Sequence, residues 1–133
     1  KYAITYFYNV YGPREISHGK YATLIALFKE KAKNSEPLTV VSPGTQKRNF
    51  THVDDIIKGI TLVGEKGNGD DYGIGSPESF SILEIANMFQ NAKIEMLPER
   101  PGNRMTAEVI TEKTIALGWL STKSVVNYIK DNC

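Results

Sequence analysis

Arg14, Arg48, Arg100 and Arg104 are the only arginines of this chain, and each sits beside Pro or Asn in a loop or at a strand end. The helix-like stretches take their positive charge from lysine instead, as in Lys29, Lys31, Lys33, Lys58 and Lys130. A guanidinium is a rigid, permanently charged fork suited to phosphate or carboxylate, whereas lysine is a solvated point charge. Arginines delivered from three separate loops point to a convergent anion site. Arginine is also an ordinary surface residue, and exposed ion pairs often contribute nothing measurable. The neighbouring residues must decide.

Three clusters supply those neighbours. Asn9-Val10-Tyr11-Gly12-Pro13-Arg14 follows a strand-like run, in the position where open α/β sheets bind ligands beyond their strand ends. Asn9 there can both donate and accept, and Arg14 adds a fork; the plainer reading is a turn at Tyr11-Gly12-Pro13 with Arg14 solvating it. In the second cluster, Gly44 to Asp55, Arg48 leaves a glycine turn and enters a strand that would hold its stem. The third, Glu99-Arg100-Pro101-Gly102-Asn103-Arg104, flanks a rigid Pro-Gly with two arginines. His52 near Asp54 and Asp55 suggests a base and its orienter, but no nucleophile completes the pattern, so a structural role is expected.

The elements that must position these groups follow from periodicity. Tyr2 to Tyr8 is a nearly continuous apolar and β-branched run, expected to be a strand covered on both faces. Asn9 to Gly19 reads as loop. Tyr21, Leu24, Ile25, Phe28 and Ala32 recur at helical spacing and mark one buried face. Leu38 to Val41 is a short strand, Ser42-Pro43-Gly44 a turn, and Arg48 to Val53 another strand. Asp54 and Asp55 favour a helix start ahead of Ile56, Ile57 and Ile60. Gly64 to Asp70 reads as loop and Tyr72 to Ile74 as strand. Ser81 to Glu84 forms a capping box, and Ile94 to Leu97 is a further strand. Thr111 and Ser121 are expected to cap the last two helices, the first of them ending at Gly118. The fold class is mixed α/β with four or five helices, in one unit over residues 1–133.

Composition narrows the partners. Hydrophobic residues make up 41% and charged residues 23%, ordinary for a globular domain. With 16 Lys+Arg against 15 Asp+Glu the net charge is +1, so no diffuse field recruits nucleic acid and any anion binding must be local. No apolar run approaches the ~20 residues of a membrane span. The single Cys133 and the separated His18 and His52 argue against a disulfide or metal cluster and for a reducing, cytoplasmic setting. The chain opens directly into a strand pattern without a methionine, which reads as a piece of a longer protein.

Together and in this order, several stretches carry a resemblance: TYFYNVYGPRE, HGKYATLIALF, SEPLTVVSPGTQKRNFTHVDDIIKGI, YGIGSPESFSILEIANMF, LPERPGN and EKTIALGW. They span nearly the whole chain, which resembles the C-terminal half of the NAD-dependent nucleotide-sugar epimerase/dehydratase family, the extended short-chain dehydrogenases related to UDP-galactose 4-epimerase. The resemblance implies a substrate lobe whose strands complete a Rossmann sheet supplied by an N-terminal dinucleotide-binding half upstream. It implies that Asn9 contacts the sugar-phosphate part, that Arg48 and Arg100 pair with a nucleoside diphosphate, and that Leu38 to Val40 lie along the base. Asn103 stands where the family usually has an aspartate holding the ribose hydroxyls. Tyr11 and Arg14 are secondary candidates. Further departures are Asn49 for aspartate, Gly73 for asparagine, and Lys47 for a neutral residue.

The resemblance implies NAD or NADP in the parent protein, where hydride exchange at a sugar carbon belongs to a Tyr-x-x-x-Lys pair. None of the seven tyrosines has lysine four positions on, so no catalytic residue is assigned here and no tight cofactor binding is expected. Gly64 to Gly69 and Gly73 to Gly75 lack the strand–glycine loop–helix order of a dinucleotide fingerprint and read as loops. The expected partner is a nucleotide-sugar substrate, with neither nucleic acid nor membrane. Uncovered strand faces at Tyr2 to Tyr8 and Tyr72 to Ile74 predict self-association or a homo-oligomer. Two other readings stay open: a free-standing binding or interaction module, and a redox-inactive relative that senses dinucleotides.

Overall fold

The computed structural model describes residues 1–106 and 108–133. The first part of the chain runs β1 (Ala3–Phe7), β2 (Val10–Tyr11), α1 (Leu24–Lys33), β3 (Leu38–Val41), β4 (Lys47–Asn49), β5 (Thr51–His52) and α2 (Val53–Lys66). It continues with β6 (Gly69–Ile74), β7 (Ser79–Ser81), α3 (Ile82–Asn87), β8 (Ile94–Leu97), α4 (Glu112–Ala116) and α5 (Val125–Asn132). The strands pair two by two: β1 with β6, β2 with β5 and β3 with β8 in parallel, β4 with β7 antiparallel. Parallel pairs need crossovers of a dozen residues or more, and the helices supply them.

The main core forms where α1, β3, α3 and α5 meet. Ile25 and Phe28 from α1, Leu38 and Val40 from β3, Ile85 from α3 and Ile129 from α5 are all at most 2% exposed. Each such side chain contributes about 1.5–3 kcal/mol through burial. A smaller cluster of Ile56, Ile74 and Trp119 ties α2 to β6.

Several expectations are refined. The β1 strand is present, but its two faces are not both covered: Tyr2 is 68% exposed, and Ile4, Tyr6 and Phe7 are exposed as well. Tyr21 lies ahead of α1 and is exposed, not part of its buried face. The stretch 48–53 is two strands broken at Phe50, whose ring turns into the core. The Gly64 to Asp70 loop is shorter than expected, because α2 runs to Lys66 and β6 begins at Gly69. The last helix starts after Ser124, not Ser121, and Ser124 makes no side-chain cap bond. At the capping box, the Ser81 hydroxyl accepts from the Glu84 N–H at 3.0 Å as expected.

Three buried polar side chains, Asp55, Asn49 and Thr51, hold these pieces in register. The fully buried Asp55 carboxylate accepts from the Thr122 N–H at 2.9 Å, the Thr122 hydroxyl at 2.7 Å and the Lys123 N–H at 3.0 Å. Its backbone carbonyl accepts from the Trp119 indole at 2.9 Å. Asn49 donates its amide to the Ser76 carbonyl at 2.6 Å, while the Thr51 hydroxyl accepts from the Ser76 N–H at 2.8 Å. An aspartate at 49 could not donate that bond, which accounts for the asparagine. Gly73 has an equally local cause: a Cβ there would strike the Ile110 carbonyl that crosses over β6.

Candidate functional site

Arg48 leaves the turn at Gly44, where φ is +81° and a Cβ would lie 2.6 Å from Leu83 Cγ, a conformation that favours glycine. The turn feeds β4, whose pairing with β7 sets Arg48 opposite Phe80. Arg48 Nη1 donates to the Lys47 carbonyl at 2.7 Å, and Nη2 donates to Asn103 Oδ1 at 3.4 Å. Asn103 arrives from the loop after β8, behind the left-handed Gly102 (φ +77°). A guanidinium held at two nitrogens by neutral acceptors keeps its charge for a third party.

Arg48, Arg100 and Asn103 line one cavity of about 290 Å³, together with Thr39, Val41 and Gln46. Its far wall is the start of α1, through Leu24 and Leu27. Thr23 precedes that helix, but its hydroxyl donates to Glu15 at 2.8 Å and gives α1 no side-chain cap. An uncapped helix start presents N–H groups and a positive partial charge. Two arginines and a helix start on one cavity suit an anion with several oxygens, and pyrophosphate has that form.

Asn9 lies elsewhere but close by. It adopts φ +40° and lines a second cavity of about 240 Å³ with Glu15, Thr23 and Leu24. Leu24 belongs to both cavities, so they adjoin at the start of α1. Burial pushes the Glu15 carboxyl up, against the opposing Thr23 hydrogen bond. This compartment therefore offers an amide and a carboxyl, chemistry for hydroxyl groups more than for phosphate.

The remaining candidates divide. Leu38 and Val40 are fully buried, because the β3 alternation turns them into the core. Thr39 and Val41 face the cavity in their place, so a side-chain contact to a ligand from Leu38 or Val40 is corrected to their neighbours. A strand's period of two forces that exchange. Tyr11 is 1% exposed and packs edge-on against His52 and Tyr128, with its hydroxyl pKa raised by burial, as suits a core residue. Arg14 is exposed at φ +70°, and neither it nor Arg104 lines the arginine cavity. His52 caps α2, its Nδ1 accepting from the Asp54 N–H at 3.0 Å. Burial first, then the Lys123 charge, lowers its pKa and keeps the ring neutral. A larger cavity of about 410 Å³ lies beside His52 and α5, but its Lys123 is paired with Asp54 at 2.7 Å.

Gln46 and Thr39 were missed as cavity residues. The signal for Thr39 lay in strand alternation; Gln46 is visible only in three dimensions. For a dinucleotide, the glycines do not fit. Gly64 to Gly69 closes α2 and opens β6, the reverse of a strand-to-helix phosphate loop, and the space beside Gly73 is filled by the chain's own Ile110. Among the described residues there is no group of three or more candidate metal ligands, and no helix long and apolar enough to cross a membrane.

A mixed α/β unit of short strands, paired mostly in parallel, places the chain among Rossmann-like folds. Residues 1–75 match the NAD dependent epimerase/dehydratase family, and the chain belongs to it. It is 33% identical over 124 residues to UDP-glucuronic acid decarboxylase 4 of Arabidopsis thaliana, covering 87% of this chain and 27% of that protein. It is 39% identical over 84 residues to a UDP-N-acetyl-alpha-D-glucosaminuronate decarboxylase of Bacillus cytotoxicus, covering 62% of this chain and 26% of the relative. Among solved structures, the UDP-glucose 4-epimerase of Thermotoga maritima with UDP-glucose superposes with a TM-score of 0.88 at 24% identity, over 98% of this chain and 44% of that one. The UDP-glucuronic acid 4-epimerase of Bacillus cereus, in complex with UDP-glucuronic acid and NAD, gives 0.84 at 26% identity, over 98% and 43%. The chain thus spans about a quarter to a third of the curated relatives it matches and less than half of the solved ones.

Proposed function

We propose that this chain is the substrate-holding portion of an NAD(P)-dependent nucleotide-sugar epimerase, dehydratase or decarboxylase, and that it clamps the nucleoside diphosphate of the substrate. The observation that carries this reading is the meeting of Arg48, Arg100 and Asn103 on one cavity from chain regions about fifty residues apart. The named ligands of the similar proteins, UDP-glucose and UDP-glucuronic acid, support the substrate class. The two phosphates would lie between the arginines and the start of α1, with the sugar toward Asn9 and Glu15. Hydride chemistry belongs to residues outside this chain, which contributes binding energy from the remote nucleotide and so holds the sugar for reaction. No step is assigned to the chain's own side chains beyond binding and orientation. The chain alone would be inactive and would not hold the dinucleotide tightly.

Charge-assisted bonds to a partly buried diphosphate contribute about 1.5–3 kcal/mol each. Arg48→Ala in the complete protein therefore weakens UDP binding by roughly one to two decades and flattens its salt dependence. Titration calorimetry against ionic strength measures both. An unchanged dissociation constant in Arg48→Ala would rule out the clamp, and a wild-type protein that ignores UDP would favour an interaction module.

A further inference from the structure

The two cavities that adjoin at Leu24 differ in charge. Arg48 and Arg100 line the first. The second, of about 240 Å³, is lined by no arginine, lysine or histidine among the described residues, and Glu15 is its one ionisable side chain. Asn9 and Thr23 supply the other polar side chains there, against an apolar wall that includes Val10, Ile25 and Phe50.

Glu15 is half-buried and held in place. Its Oε1 accepts from the Thr23 hydroxyl at 2.8 Å, and Thr23 stands directly ahead of α1. A hydroxyl is a neutral partner, so this bond fixes the carboxylate without cancelling its charge. Burial pushes the carboxyl up, while the Thr23 hydroxyl, the Gly12 backbone and, least of all, the Lys29 charge act in the other direction. The wall of this compartment is therefore anionic, whereas its neighbour is cationic.

Resting on the clamp reading above, we infer that Glu15 is a specificity-determining residue that selects an uncharged, hydroxyl-bearing sugar on the nucleoside diphosphate and rejects a sugar carrying a carboxylate. Hydroxyls of a neutral sugar can donate to carboxylate oxygens and pair in either sense with the Asn9 amide. A uronate instead meets a like charge with no lysine or arginine on the cavity wall. Either both groups stay ionised and repel, or one takes up a proton at a cost in binding. The repulsion acts through space and needs no direct contact with Glu15. The arginines cannot draw this distinction, because every nucleotide sugar offers them the same diphosphate. The similar structures leave the sugar's charge open, since one holds UDP-glucose and another UDP-glucuronic acid. A decarboxylase must seat a carboxylate beside its reacting carbon, so this selectivity leaves epimerisation or dehydration as the reaction of the complete protein.

The test is calorimetric titration of the complete protein, wild type and Glu15→Gln, with UDP, UDP-glucose and UDP-glucuronic acid at neutral pH. The two sugar nucleotides differ only at the last sugar carbon, a hydroxymethyl group in one and a carboxylate in the other. Wild type should bind UDP-glucose about tenfold tighter than UDP-glucuronic acid or better. Glu15→Gln should bring that ratio toward one by tightening the uronate, while UDP alone binds as before. The inference is overturned if wild type binds the uronate as tightly as the neutral sugar, or if the full ratio survives in Glu15→Gln. Either outcome leaves the clamp standing as long as Arg48→Ala still weakens UDP. Failure of wild type to bind UDP at all removes the clamp and this inference together. If Glu15→Gln does not fold, the wild-type ratio in low and high salt decides: a preference based on charge shrinks with added salt, and a ratio indifferent to salt overturns the proposal.

Discussion

Removing the Asp55 carboxylate tests the account of what fastens the C-terminal third of the chain. Its oxygens serve three donors, the Thr122 N–H, the Thr122 hydroxyl and the Lys123 N–H. Asp55→Asn can keep this pattern: its Oδ1 can serve the two N–H groups while its Nδ2 donates to the Thr122 hydroxyl. It loses only charge assistance, about 0.5–1 kcal/mol per bond, or ~2 kcal/mol in all. Asp55→Ala leaves two backbone donors and a hydroxyl without their acceptor in a part-buried site, about 4 kcal/mol. The unfolding entropy of a domain this long is ~0.28 kcal/mol/K at the midpoint, so the two variants should melt about 7 and 14 °C below wild type. Circular dichroism at 222 nm follows the whole fold, and Trp119, the single tryptophan, reports on the fastened segment through its bond to the Asp55 carbonyl. The reasoning is refuted if alanine is no worse than asparagine, or if both melt within a degree of wild type.

Two further outcomes follow from the surface and the caps. His52 has its pKa depressed below the ordinary 6.5, so the neutral ring stabilises the fold above that pH, and the benefit is lost as pH falls through the lower folded value. Melting temperatures between pH 7 and pH 5 should therefore drop in wild type and drop less in His52→Asn, which keeps a capping acceptor without titrating. The exposed apolar side chains Tyr2, Ile4, Tyr6 and Phe7 on and beside β1 predict concentration-dependent self-association of the chain. Sedimentation velocity giving one compact monomer at all concentrations would contradict this.

Much of the fold could be read in advance because its cues are local. The β3 limits, the Ser81–Glu84 cap and the α2 start beside Asp54 and Asp55 depend on neighbours within four residues. The gathering of Arg48, Arg100 and Asn103 was legible through family resemblance, not through spacing. What escaped depends on contacts distant in sequence. Leu38 and Val40 sit on the core side of a strand whose face is chosen by α1 and α3, and alternation alone gives two equivalent choices. Asn49 and Gly73 look like arbitrary departures until Ser76 and Ile110 are seen against them. Asp55 reads as a helix-start acid, although its partners lie 67 and 68 positions away. Ser121 and Ser124 are the same residue type, so local sequence gives no means of choosing which of them stands at the start of α5.

The link from Asn103 to Arg48 joins positions 55 apart, and one of them stands in an exposed loop of no regular structure. Adding or deleting a residue between Pro98 and Thr106 would slide Asn103 off its arginine without disturbing a single core side chain. Surface loops accept such changes in length readily. If the proposed clamp holds, its affinity could therefore be retuned by altering how much chain spans this one gap, leaving the guanidinium itself in place.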